Sequence, residues 1–188
     1  MRPSFLPLLT ALVLSAGPAF AAQATPWVVE PEKSAISFSG EHAGTSFEGV
    51  FEEWTADIEF DPQAPEEAVV EVVIETASAK TGNALYDGTL IGADWFDVEG
   101  HPQARFEAQG ATPDGEGNFI LAGTLTLRGH SVPVSVAFTA DQNQATADST
   151  VVLERMDFKM GAESDPAGTW VSLEIPVKVI LVAKPEDG

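Results

Sequence analysis

The sequence predicts an all-β protein, an antiparallel meander of roughly eight strands that closes as a barrel or folds as a sandwich, with the barrel favoured. Three observations carry this. Alternation of period two runs through most of the chain, as in Leu125–Phe138, where Leu125 and Leu127, then Val132, Val134, Val136 and Phe138, alternate with small or polar residues. Short turns rich in Gly, Pro, Asn and Asp separate the alternating runs. The runs are long, and several hold a glycine where a sheet must bend hard, which suits a closed barrel.

The elements follow in order. Residues 1–21 form a leader: Arg2, an apolar run from Phe5 to Ser15, then Ala19-Phe20-Ala21 as a small-x-small cleavage site. The remainder, 22–188, is expected to be one soluble, exported domain. Trp27–Glu30 is extended, and Ala35–Gly40 is a strand with Ile36 and Phe38 on one face. Phe47–Phe60 reads as one long strand in which Phe47, Gly49 and Phe51 are out of phase with Trp54, Ala56, Ile58 and Phe60, so a bulge or sharp bend is expected near Glu52. Ala68–Thr76 is a strand on its β-branched density. From Gly82 to Phe96 the alternation stops, and Tyr86, Leu90 and Ala93 fall at helical spacing, which predicts a broken helical excursion that covers a mouth or side. Further strands are Ala104–Gln109, Asn118–Arg128, Val132–Ala140, Ala145–Glu154 and Thr169–Ala183, with a turn at Gly129-His130-Ser131.

Charge and composition exclude several functions. The formal charge is -20, and -21 once Arg2 leaves with the leader. Nucleic acid and anionic headgroups repel such a chain, so no nucleic-acid partner is expected. There is no cysteine, hence no thiolate nucleophile, disulfide or cysteine metal site. His42, His101 and His130 stand in separate turns without metal-ligand spacing, so no metal site is expected. No G-x-S-x-G elbow, triad order or phosphate-binding glycine pattern occurs, and Glu52 and Glu53, as strand neighbours, point to opposite faces. These absences predict a protein without catalytic residues or cofactor.

What remains is an apolar inward face. A dry core and a ligand cavity both fit it. Strands near 14 residues at ~3.3 Å each would make a tall tube suited to an elongated apolar guest. The expected lining is Trp54, Ile58, Phe60, Val72, Ile74, Leu173, Ile175 and Val177, with Tyr86, Leu90 and Phe96 on the cover.

Several segments together resemble one family, the YceI-like lipid/polyisoprenoid-binding domains. Ser78, Thr81, Gly82, Asp87, Leu90, Asp94, Trp95, Phe96, Asp97, Pro102 and Phe106 match its central signature. Gly123, Leu125, Thr126, Gly129, Pro133 and Val134 match its hairpin, while His42, Gly44, Gly49 and Phe51, and the stretch Leu153–Gly161, fit its flanks. The resemblance implies a lipocalin-like extended eight-stranded antiparallel barrel in the periplasm. It further implies a polyisoprenoid or isoprenoid-quinone lipid held inside for storage or transport, without catalysis. Asp87 is followed by Gly88 where the family often has a bulkier or basic residue, and basic residues are scarce near the mouth, which favours a neutral head over a diphosphate. A second reading from another class is an accessory factor that acts through its outer surface on a membrane redox protein. An edge strand or barrel seam that pairs with a second copy would give a homodimer.

Overall fold

A computed structural model describes residues 25–115 and 117–186; the leader reading of residues 1–21 lies outside them. The strands in chain order are β1 Thr25–Val29, β2 Ala35–His42, β3 Thr45–Phe51, β4 Trp54–Phe60, β5 Val69–Glu75 and β6 Ala79–Lys80. One helix, α1 Ala84–Leu90, precedes β7 Gln103–Pro113, β8 Asn118–Leu127, β9 His130–Ala140, β10 Ala145–Glu154 and β11 Glu174–Pro185.

β1, β4, β5, β7, β8, β9, β10 and β11 form a closed antiparallel barrel of eight strands. Trp27, Val28 and Val29 of β1 close the ring against Pro185, Lys184 and Ala183 of β11. Further along the same edge of β11, Val177–Ile180 pair with Phe38–Ala35 of β2, so the hairpin β2–β3, with short β6, extends the wall at the other end. The ring is filled at its ends by two apolar clusters. Trp27, Phe60, Phe119 and Ala183 belong to one, and Ile36, Phe38, Phe96, Phe158 and Met160 to the other. The first makes a floor: Trp27 Nε1 donates to the Phe60 carbonyl at 2.8 Å, and the rings of Phe60, Phe119 and Phe138 meet at 5.2–5.3 Å.

The structure corrects three strand assignments. Phe47–Phe60 is two strands, not one. At Glu52-Glu53 the chain leaves β2 and β6 and joins β1 and β5; Glu52 N–H donates to Ser78 O at 3.2 Å, and Glu75 N–H to Glu53 O at 3.0 Å. The bend resets the alternation, so Phe47 and Phe51 as well as Trp54 and Ile58 point inward. The last strand begins at Glu174 rather than Thr169: the Asp165 carboxylate accepts the N–H groups of Thr169, Trp170 and Val171 at 2.7–3.1 Å, and that stretch keeps only an isolated bridge from Val171 to His42 in place of a continuous ladder. The β8–β9 turn is Arg128-Gly129, both at positive φ (50° and 72°), the geometry of a two-residue hairpin turn, and His130 and Ser131 already lie in β9.

Candidate functional site

Along the barrel axis, between floor and cover, lies a cavity of about 240 Å³. It exceeds the ~150 Å³ of an apolar hole that accepts one benzene ring. Its walls are apolar side chains apart from Thr146 and Arg155. Arg155 is 2% exposed and offers the cavity no free donor. Its Nε donates to Ser172 O at 3.1 Å, Nη1 to Met160 O at 2.6 Å and the Met156 sulfur at 3.4 Å, and Nη2 to Asp165 O at 2.6 Å, Asp165 Oδ2 and Val171 O, both at 3.1 Å. The guanidinium also lies over the Trp95 ring, 5.6 Å from its centroid. Burial alone would raise the Asp165 pKa, but the N–H groups of Val171, Thr169 and Trp170, with Arg155, outweigh it and hold the carboxyl below its ordinary value.

The cover is α1 and the turns that follow it. Asn83 caps α1 by accepting from the N–H groups of Leu85 and Tyr86. Thr81 ties down its first turn by donating from both N–H and hydroxyl to Asp87 Oδ1, each at 2.7 Å. Its far side is latched to the 155–173 loop. Asp94 accepts from Glu163 N–H at 3.0 Å, Ser164 N–H at 2.8 Å and Ser164 Oγ at 2.6 Å. Arg128 donates to Ala93 O at 2.7 Å, to Phe158 O at 3.2 Å and to Lys159 O. At Asp94, burial raises the pKa, and the Ser164 and Glu163 bonds and Arg128 together hold it low.

Nine residues singled out from the sequence converge on this cavity: Trp54, Ile58 and Phe60 from β4, Val72 and Ile74 from β5, Leu90 and Phe96 from the cover, and Ile175 and Val177 from β11. Two do not. Tyr86 turns to His42, its hydroxyl 3.1 Å from Nδ1 and the rings 5.0 Å apart. Leu173 precedes the strand, is 36% exposed and sits by Gly168. Among the described residues no three His, Asp or Glu side chains gather as metal ligands.

The YceI-like domain model matches residues 27–183 of this chain. The chain belongs to that family. A UPF0312 protein of Azotobacter vinelandii is 30% identical over 181 residues, covering 90% of this chain and 93% of the relative. Another, from Pseudomonas syringae pv. tomato, is 35% identical over 137 residues, 71% of this chain and 69% of that protein. Among solved structures, Burkholderia cenocepacia BcnA superposes with a TM-score of 0.77 at 30% identity, covering 84% of this chain and all (100%) of that one. A polyisoprenoid binding domain from Saccharophagus degradans, implicated in plant cell wall breakdown, shares the fold at 13% identity, with a TM-score of 0.64 and coverage of 86% and 99%.

In this YceI-like barrel, the alternating face of β8 and β9 lines the same cavity through Leu125, Leu127, Val134, Val136 and Phe138. Sequence reasoning missed Trp95, Arg155, Phe158 and Met160, which close the covered end from segments without strand periodicity. The one signal for Arg155 was its place in the family-like stretch Leu153–Gly161.

Proposed function

We propose that this YceI-like protein binds one long, predominantly hydrocarbon lipid inside the barrel, of the polyisoprenoid or isoprenoid-quinone class. The observation that carries the reading is a hollow walled by apolar side chains whose one charged neighbour, Arg155, has every donor engaged. Such a wall gains from displacing water onto hydrocarbon and gives no partner to a charged headgroup, whose burial unpaired is costly. The lipid-binding fold of the family and the polyisoprenoid binding domain of Saccharophagus degradans support the same class. In this reading residues 1–21 are an export leader, 22–188 the mature periplasmic protein, and the lipid is held for storage or transport. Trp54, Ile58, Phe60, Val72, Ile74, Leu90, Phe96, Ile175 and Val177 touch the chain of the guest.

Trp27, Trp54 and Trp95 line the cavity, whereas Trp170 is exposed outside it. Titration with a short-chain ubiquinone, a fluorescence quencher, is therefore expected to quench most of the tryptophan emission at one equivalent. Native mass spectrometry of the protein with a polyprenol should show one added lipid. A folded protein that takes up neither molecule refutes the reading.

A further inference from the structure

The wall of the barrel is not evenly sewn. β8 pairs with β9 from Asn118–Thr139 to Leu127–His130 without interruption, and β10 with β11 from Ala145–Ala183 to Glu154–Glu174. Between β9 and β10, which are 11 and 10 residues long, the ladder consists of Ala140–Ala145 and Thr139–Thr146 alone. Continued in that register, Ala137 would stand opposite Asp148, Ser135 opposite Thr150 and Pro133 opposite Val152. Instead, Ala137 N–H reaches the side chain of Ser149, at 3.4 Å.

Pro133 supplies a chemical reason. Backbone donors along a strand alternate in direction, so positions 135 and 133 address the same neighbour as Ala137 N–H, which is β10. Proline has no N–H to give there, and it belongs where a ladder stops.

The cavity reaches both lips of this seam, through Val134, Val136 and Phe138 on β9 and Ala147, Val151 and Leu153 on β10. On the outer side Pro133 is exposed and Val152 is 55% exposed, so hydrocarbon is present on both faces of the wall here. The hollow, about 240 Å³, is also below the roughly 300–1,000 Å³ of pockets that enclose a drug-sized ligand. A long chain needs part of the wall to yield. The floor is packed aromatic rings, and the cover is held by Asp94, Arg128 and Arg155. Between Ser131 and Ala137 the seam has no ladder pair, and Ala137 N–H reaches Ser149 Oγ at 3.4 Å.

We propose that β9 and β10 part between Ser131 and Ala137, hinged on the Thr139–Thr146 and Ala140–Ala145 pairs, and admit an apolar chain sideways into the barrel. The proposal rests on the cavity being a lipid site, and the test separates the two.

Because the chain has no cysteine, engineered pairs can be cross-linked without background. Ser135→Cys with Thr150→Cys, bridged by a short bifunctional methanethiosulfonate, staples the seam. Ala122→Cys with Ser135→Cys staples a fully paired stretch of β8–β9 as control. Asp94→Cys with Ser164→Cys staples the cover. All-trans-retinol, a neutral fluorescent isoprenoid, is the probe in stopped-flow binding, and circular dichroism verifies folding.

The seam staple is expected to lower both association and dissociation rates about tenfold or more at a similar Kd, as gating does, with recovery on reduction. The control staple leaves the rates as they were. Pro133→Thr, which restores the missing donor, slows exchange without any cross-link. Rates indifferent to the seam staple overturn the proposal, and so does slowing by the cover staple alone. Failure of the folded, unstapled protein to bind retinol or polyprenol overturns the lipid-site reading and the passage with it.

Discussion

Ala147→Leu separates a hollow barrel from a filled one. Ala147 is 6% exposed and lines the cavity, yet it belongs to neither of the two packed clusters. Leucine adds three carbons, and at about 0.8 kcal/mol per buried CH₂ the gain is at most about 2.4 kcal/mol. Apolar area already hidden in the unfolded chain brings this to about 1–2 kcal/mol. For a domain of this size each kcal/mol moves Tm by about 2–4 °C, so a rise of about 2–8 °C is expected in calorimetry. The same carbons occupy space that a guest would use, so retinol or quinone affinity should fall about tenfold or more as the barrel becomes more stable. In an interior that was already full, the leucine would instead cost about 1–3 kcal/mol. A lower Tm with unchanged affinity refutes the reasoning.

Other perturbations test the frame. Arg155→Met leaves the Asp165 carboxylate buried without its cation and should cost about 3–5 kcal/mol, read from urea unfolding. The Asp165 and Asp94 carboxyls titrate below their ordinary values, so their contribution is complete above the unfolded carboxyl pKa, near 4, and disappears as pH falls through the lower folded values. An acid titration of unfolding free energy should steepen below about pH 4, and Asp165→Asn should flatten it. Gly49→Val places a Cβ 2.3 Å from the Phe38 ring and should lower stability by about 1–3 kcal/mol on thermal unfolding, with loss of lipid uptake as the ring is driven into the cavity. Ala43 holds φ 50° in the β2–β3 turn, next to Gly44 at 78°; Asn tolerates that region, so Ala43→Asn should raise stability by up to about 1 kcal/mol in the same assay.

The parts of the fold legible in the sequence are those whose physics is local. Trp54, Ile58 and Phe60 face inward because strand geometry enforces a period of two, and the broken phase at Glu52 already marked the bend. Leu173 shows where that logic stops. Its spacing with Ile175 and Val177 is real, but Asp165 captures the amides of Thr169, Trp170 and Val171, and the continuous ladder begins only at Glu174. Tyr86 and Leu90 share helical spacing, and the hydroxyl decides between them: Tyr86 takes a partner on His42 while Leu90 turns to the hydrocarbon. Arg155 was illegible because its burial depends on carbonyls at positions 160, 165, 171 and 172, gathered by a loop without periodicity. The seam has ordinary alternation on both lips, and Pro133 is its single written mark.

The ring closure between Trp27–Val29 and Ala183–Pro185 has a bearing on biogenesis. The first and last strands are neighbouring staves of one vessel, so the rim cannot be completed until residue 185 has been delivered. Contacts that span almost the full length of a chain form slowly, after local hairpins. During folding the hydrocarbon interior therefore faces water longer than the hairpins need to form, and β11 decides when that exposure ends. A nascent chain arrested before β11 would present an unclosed sheet with two bare edges, a natural substrate for holding chaperones.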